Sequence, residues 1–378
     1  MSPSADTTQA NGPKDLAMAK SDGIEVDIKK TKEGLVNKDI PNIIEHYDAT
    51  YLAEVSKIDL GNIKSIDPTD HIAMRKWLKD EYMPLQKAPR IKRSRTPVSI
   101  DIKNVPITYG EDNHFSIRVY DPVNKEAPSD CLRPALIMLH GGGWVHGYPE
   151  VDEDLSQFFA SELRAVVIGV DYRLAPEYQF PLPGNDCFEV LNWVSNNARD
   201  YSIDTARVGL WGCSAGGNLA ASVALRDSAE NEISRIRHVS LVVPVTCHPN
   251  LHPPVIQSSN ASMQLSESDG TVEEARAGLI KLWDMYAGDK FSDPYASVLL
   301  AKPRSNHPPA HITVAGCDRL RDEGIAYALL LRNAGIDTQL EIVPGVPHGV
   351  TVSPITPVAE QLFRNQIRVL NCALNTDF

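Results

Sequence analysis

From about Val98 onward, apolar residues fall into short dense runs separated by longer amphipathic stretches, and this pattern predicts strands and helices in turn. Ser99–Ile107 and Phe115–Tyr120 alternate apolar with polar positions, as antiparallel strands with one wet face do. Ala135–Leu139, Ala165–Val170, Val208–Trp211, Leu241–Val245 and Ile312–Ala315 are nearly continuous apolar runs, with Gln339–Val343 a weaker one. Runs of that kind suit a parallel sheet covered on both faces. Between them lie helical patterns at Asp152–Leu163, Asp186–Asn197, Ala215–Leu225, Val272–Tyr286, Arg321–Ala334 and Val358–Leu374, and Gly335 is placed to stop the fifth. A strand followed by a helix, repeated, predicts right-handed crossovers and an α/β doubly wound sheet.

Residues 24–95 have a different period. Ile40–Tyr47 and Ile72–Leu78 carry apolar side chains three and four residues apart, and Pro41, Pro68 and Pro84 cut the stretch into short pieces. A helical layer of this size cannot bury its apolar faces alone, so it is expected to cap the domain formed by 96–378. Residues 1–23 are polar and expected to be a disordered tail. Cys247 to Gly270 is long and rich in Pro, Ser, His and Asn, a composition and length that suit a lid or binding loop.

Of the 378 residues, 42% are hydrophobic and 23% charged, as in a globular enzyme with a sizeable core. Lys plus Arg less Asp plus Glu is 37 − 49 = −12, which argues against a nucleic-acid partner. The one basic stretch, Arg90–Arg95, reads as a solvated linker. The N-terminus lacks the apolar core of a signal peptide, and no segment reaches the roughly 18–20 apolar residues of a membrane span. Six scattered cysteines without a Cys-x-x-Cys pair suit buried thiols in a reducing cytoplasm, which would make the sequon at Asn260 incidental.

The chemistry begins at Gly212-Cys-Ser-Ala-Gly216, placed directly after one expected strand and directly before an expected helix. A serine at so sharp a turn points its hydroxyl outward as a nucleophile, and the small neighbours let the chains pass closely. A second glycine-rich segment, His140-Gly-Gly-Gly-Trp144, also follows a strand. Without side chains, such a loop can bring backbone N–H groups up to an oxyanion. The donors expected are Gly141, Gly142 and Ala215.

Ser214 needs a base, and there are eleven histidines. His46 and His71 precede the core, and His114 lies between the first two strands. His238, His307 and His311 precede strands at the opposite edge of the sheet. His140 and His146 flank the glycine loop and are better suited to shape it. His248 and His252 have the spacing of metal ligands, but their Pro-containing loop makes zinc a poor reading. His348, in the turn after the last strand, is the candidate base. For the acid that holds its tautomer, Asp318 follows a strand end, whereas Asp322 is assigned to capping the next helix. The order Ser, Asp, His is that of α/β hydrolases.

His140-Gly-Gly-Gly, Asp171-Tyr-Arg-Leu-Ala-Pro-Glu177, Gly212-x-Ser-Ala-Gly-Gly217, Asp293-Pro-Tyr-Ala-Ser297, Asp318-x-Leu-Arg-Asp-Glu-Gly324 and His348-Gly349 occur in the order found in hormone-sensitive-lipase-like carboxylesterases, and residues 97–378 resemble that family. The resemblance implies an α/β-hydrolase fold with a mostly parallel eight-stranded sheet, helices on both faces and a helical cap built from the N-terminal helices and an insertion of about 248–290. It also implies a serine esterase acting through an acyl-enzyme on small or medium-sized carboxylic esters, without metal or organic cofactor. Cys213 stands where the family usually has Asp, and Arg319 where it has Pro; neither removes a triad member. Arg173 and Glu177 are expected to pin the loop after their strand. Trp144 and Tyr148, with Tyr47, Tyr51, Trp77 and Tyr82, could line the pocket or simply pack. A tailoring enzyme acting as deacylase, lactonase, acyl transferase or dehydratase would share these motifs; a formamidase or a non-catalytic receptor fits less well. Whether two copies pair as a homodimer is left open.

Overall fold

The computed structural model describes residues 51, 53, 66–67, 69–85, 98–123, 132–253, 256, 272–351 and 356–375. The expected polar tail, the helical run at Ile40–Tyr47, the basic stretch 90–95, Cys131 and the sequon at Asn260 lie outside these residues.

Eight strands form one sheet in the order β1-β2-β4-β3-β5-β6-β7-β8. They are β1 (Ser99–Tyr109), β2 (Asn113–Val123), β3 (Arg133–Leu139), β4 (Val166–Asp171), β5 (Ile203–Cys213), β6 (His238–Val242), β7 (Ala310–Ala315) and β8 (Thr338–Val343). The first two make an antiparallel hairpin, and β2 pairs antiparallel with β4. Every remaining pair is parallel. Strands β3 to β8 therefore send their carboxyl ends to one edge, where the loops of an α/β sheet gather functional groups.

Each inner strand serves two cores. Ala135, Ile137 and Leu139 of β3 join one cluster, with Cys187 and Phe188 of α3 (Leu182–Asn197), Leu219 of α4 (Ala215–Glu230) and Ile325 of α6 (Arg321–Asn333). Leu136 and Met138 enter the other, with Leu155 and Phe158 of α2 (Glu153–Leu163) and Leu362 and Phe363 of α7 (Pro357–Asn375). Both faces of the strand are dry, which explains its near-continuous apolar sequence.

Several expected boundaries move, the strand expected at Val208–Trp211 running over Ile203–Cys213 and the helix from Ala215 reaching Glu230. The strand placed at Leu241–Val245 runs over His238–Val242, because Val243 takes φ 42° and Pro244 cannot donate to the ladder. His238 is thus inside the strand it was expected to precede, as His311 is inside β7. Helix α3 begins at Leu182 and not Asp186, with Pro183 in the first turn, where its missing N–H costs nothing.

Before the sheet, α1 (His71–Trp77) continues through a wider turn at Leu78–Tyr82 into Met83–Leu85. The Asp70 side chain caps it, accepting from the Ala73 N–H at 3.0 Å. Met74, Trp77, Leu78 and Tyr82 are buried at helical spacing and pack with Tyr148 and Val151 of the core. A second helix outside the sheet layers, α5 (Val272–Ala287), touches the same N-terminal segment through Lys281, whose ammonium donates to Thr69 Oγ1 at 3.0 Å. None of the helices among the described residues is long and apolar enough to cross a membrane.

Candidate active site

Ser214 sits between β5 and α4 with φ 54° and ψ −119°, a conformation that side-chain-bearing residues rarely adopt. The strain is held in place by close backbone packing. A Cβ at Gly212 would lie 2.2 Å from the Gly216 carbonyl oxygen, and one at Gly216 would lie 2.0 Å from that of Leu139. Only glycine fits either position. The Ser214 N–H donates to Val242 O at 2.9 Å, tying the turn to β6.

His348 follows β8, after a turn in which Gly345 has φ 69°. Its Nε2 is 2.9 Å from Ser214 Oγ, and its Nδ1 is 2.8 Å from Asp318 Oδ2. Asp318 is fully buried, and its second oxygen accepts from the Leu320 N–H at 2.9 Å. The loops carrying acid and imidazole are joined directly, the Cys317 N–H donating to Val346 O at 2.9 Å and the Gly316 N–H to Val343 O at 2.7 Å. With its Nδ1 proton bound to Asp318, the imidazole can accept the serine proton at Nε2.

Asp322 does not cap α6 as expected; the position before that helix is Leu320, and the Asp322 carboxylate accepts from Arg321 Nε at 2.9 Å. Arg321 is buried and also donates to Gly316 O at 2.8 Å, so the pair braces the turn that carries Asp318. Cys213 closes β5 with its side chain in the core, only 6% exposed. Arg319 follows Asp318 directly, in the same turn.

The glycine loop lies against the serine. A Cβ on Gly141 would be 3.5 Å from that of Ser214, and one on Gly142, where φ is 120°, would be 2.0 Å from His146 O. Ala215, the first residue of α4, has an N–H without an intrahelical acceptor. His140 stacks on Tyr172 with ring centroids 4.2 Å apart, and the Tyr172 hydroxyl donates to His140 O at 2.9 Å. Burial lowers the pKa of His140 and brings that of His146 to about 4, so both rings are neutral at neutral pH. The two histidines shape the loop.

Trp144, a candidate pocket residue, is 1% exposed and stacks on Tyr286 of α5 at 4.2 Å, so it supports the loop from beneath and does not line a cavity. Tyr148 is partly buried under α1. Trp77 and Tyr82 pack on each other, and Tyr51 is buried. Tyr47 lies outside the described residues. Arg173 pins its loop by a bidentate pair with buried Asp186, at 2.7 and 2.9 Å. Glu177 instead reaches Arg75 of α1.

Two polar groups near the site escaped sequence reasoning. Glu323 of α6 is buried, accepting from the Thr246 N–H at 2.6 Å and lying 2.8 Å from His252 Nε2, which ties the loop after β6 to the helix after Asp318. This contact occupies Nε2 of His252. Arg75 is the other. Glu323 stands within the motif Asp318–Gly324, but neither contact could be read locally, because the partners lie 71 and 102 residues away.

The model of a family described as alpha/beta hydrolase fold matches residues 136–352. An ethyl acetate hydrolase of Pseudomonas putida is 32% identical over 250 residues, 65% of this chain and 74% of that protein. A versiconal hemiacetal acetate esterase of Dothistroma septosporum is 27% identical over 275 residues, 72% of this chain and 82% of the relative. Among solved structures, a bacterial heroin esterase superimposes with a TM-score of 0.71 at 28% identity, covering 87% of this chain and 98% of its own.

Proposed function

The chain belongs to the hormone-sensitive-lipase-like family of α/β hydrolases and is an esterase-type serine hydrolase, and we propose that Ser214 is its nucleophile, His348 its base, Asp318 the orienting acid, and the N–H groups of Gly141, Gly142 and Ala215 its oxyanion hole. The observation that carries this reading is the continuous chain of contacts at 2.9 and 2.8 Å from Ser214 through His348 to Asp318.

In the first half-reaction Ser214 Oγ attacks the ester carbonyl carbon while its proton passes to His348 Nε2. The carbonyl oxygen takes up the negative charge and is held by the backbone donors. Collapse of the tetrahedral intermediate breaks the bond to the alcohol oxygen, which leaves with the proton from His348. In the second half, His348 takes a proton from water, the hydroxide oxygen attacks the acyl carbon, and the carboxylic acid departs as Ser214 regains its proton. Asp318 accepts the Nδ1–H throughout and stabilises the imidazolium. The cycle draws only on side chains, backbone and water.

Short-chain esters of small or medium-sized alcohols are the substrates we infer. Two of the relatives are named for acetate esters, an ethyl acetate hydrolase and a versiconal hemiacetal acetate esterase. The cap is assigned to 24–95 with about 248–290, a reading supported by the meeting of Lys281 with Thr69. The buried thiols Cys187, Cys213, Cys247 and Cys317 support a cytoplasmic location.

The test is turnover of p-nitrophenyl esters of increasing acyl length, alongside fluorophosphonate labelling of wild type, Ser214→Ala and His348→Ala. Both variants should lose turnover, and Ser214→Ala should lose labelling. A Ser214→Ala protein labelled at the wild-type rate would remove Ser214 from its role, and a preference for long acyl chains would overturn the substrate class.

A further inference from the structure

From α1, the side chain of Arg75 reaches the end of the glycine loop. Arg75 donates from Nε to Val145 O at 2.7 Å and from Nη2 to Ala175 O at 2.8 Å. It also grips both carboxylate oxygens of Glu177, at 2.8 Å each, through Nη1 and Nη2. All these acceptors belong to two segments that are already linked, because the Ala175 N–H donates to Trp144 O at 2.9 Å. Arg75 thus closes a ring of hydrogen bonds around the end of the loop that begins at Gly141.

That end controls the rest of the loop. The N–H groups of Val145 and His146 both donate to Gly142 O at 3.1 Å, so a shift of Val145 is passed to the Gly142–Gly143 peptide. Gly142, Gly143 and Trp144 have φ of 120°, 57° and 63° in succession. A tryptophan in that region is strained, and such strain persists only where the surroundings over-determine the conformation. The stack of Trp144 on Tyr286 fixes one side. Arg75 fixes the other.

We propose that Arg75 is a positioning residue through which docking of the N-terminal helix sets the aim of the oxyanion donors, so that turnover is conditional on that helix being seated. The inference rests on the proposed function, since it assigns Arg75 a task only if Gly141 and Gly142 serve the oxyanion. The planar guanidinium matches the task, presenting N–H groups in fixed directions to three acceptor groups at once, which a lysine ammonium cannot do. The Arg75 hydrogen bond also holds the Glu177 carboxyl down to about pKa 2, so the clamp keeps its anion at any physiological pH. Arg75 is 30% and Glu177 50% exposed, and an ion pair so wet adds little to folding. Its effect falls on geometry, where a small displacement of an aligned group can cost about 10²-fold in rate.

The experiment uses the full chain, with p-nitrophenyl acetate turnover and thermal melting of wild type, Arg75→Ala, Arg75→Lys and Glu177→Gln. Arg75→Ala should lower kcat by about 10- to 100-fold with little change in KM or melting temperature, and added guanidinium ion should restore part of kcat. Arg75→Lys should recover less than guanidinium does, and Glu177→Gln should lose less than Arg75→Ala. Unchanged kcat in the Arg75 variants of an active wild type would overturn the inference and leave the proposed function standing. So would a loss that follows the unfolded fraction and ignores guanidinium. Should Arg75→Ala fail to fold, Glu177→Gln decides: a kcat equal to wild type counts against the clamp, and a fall at constant KM supports it. An inert wild type that resists fluorophosphonate would overturn both readings.

Discussion

Asp318 gives one carboxylate oxygen to His348 Nδ1 at 2.8 Å and the other to the Leu320 N–H at 2.9 Å, from a position with no solvent exposure. Both oxygens are thereby directed, and the imidazole is fixed in tautomer and orientation. Asp318→Asn offers an amide donor to the same nitrogen and reverses that preference, so kcat for an activated ester should fall about 10³- to 10⁴-fold at similar melting temperature. Asp322→Asn weakens the pair with Arg321, one step removed from the imidazole, and should cost far less activity. A larger kcat loss for Asp322→Asn at equal stability would transfer the acid role to Asp322.

Ser214 pays for its outward hydroxyl with φ 54°. Ser214→Gly removes the side chain that makes this backbone costly, whereas Ser214→Ala keeps a Cβ there. Both should be inactive, but the glycine variant should be more stable than the alanine variant by about 1 kcal/mol, somewhat offset by its freer unfolded chain. Chemical denaturation of the two variants side by side measures the difference, and an alanine variant equal or superior in stability would show that the turn is not strained.

Gly142 has φ 120°, and a Cβ there would sit 2.0 Å from His146 O, so Gly142→Ala must push the loop away from the serine. Turnover should drop by about 10²-fold or more, the scale for losing one oxyanion donor, without abolishing fluorophosphonate labelling. Full activity in Gly142→Ala would mean that the loop contributes no donor.

Arg173 should prove structural. Its partner Asp186 is fully buried, and removing one member of such a pair strands the other charge. Arg173→Met should therefore destabilise the fold by about 3 kcal/mol, while kcat per folded molecule stays near wild type. A variant of normal stability but reduced kcat would place Arg173 in the chemistry.

Glu177 supplies a pH signature. The Arg75 hydrogen bond, helped by the charges of Arg75 and His71 against partial burial, lowers its pKa from 4.5 to about 2. A depressed carboxyl stabilises the fold above its unfolded pKa, and this contribution fades as pH falls through the folded value. The gap in melting temperature between wild type and Glu177→Gln should be constant above about pH 5 and shrink below about pH 4.5 toward pH 2, remaining small because the pair is half exposed. A gap that widens on acidification would contradict the pairing.

The sequence alone determined the sheet, because strands buried on both faces must be written as continuous apolar runs and the intervening helices as 3.6-residue patterns. It also marked Ser214, whose turn demands small neighbours at fixed spacing, and it narrowed base and acid to His348 and Asp318 by placing each after a strand end. Boundaries were less legible. His238 entered β6 because hydrogen bonding, and not hydrophobicity, decides where a ladder starts, and Val243 left it through its positive φ. Only tertiary structure could give Asp322 to Arg321, Trp144 to the stack on Tyr286, Glu177 to Arg75 and His252 to Glu323. A short apolar run or a tight turn is written into neighbouring residues, whereas these side chains satisfy their charges or bury their rings against partners that only the folded chain brings within reach.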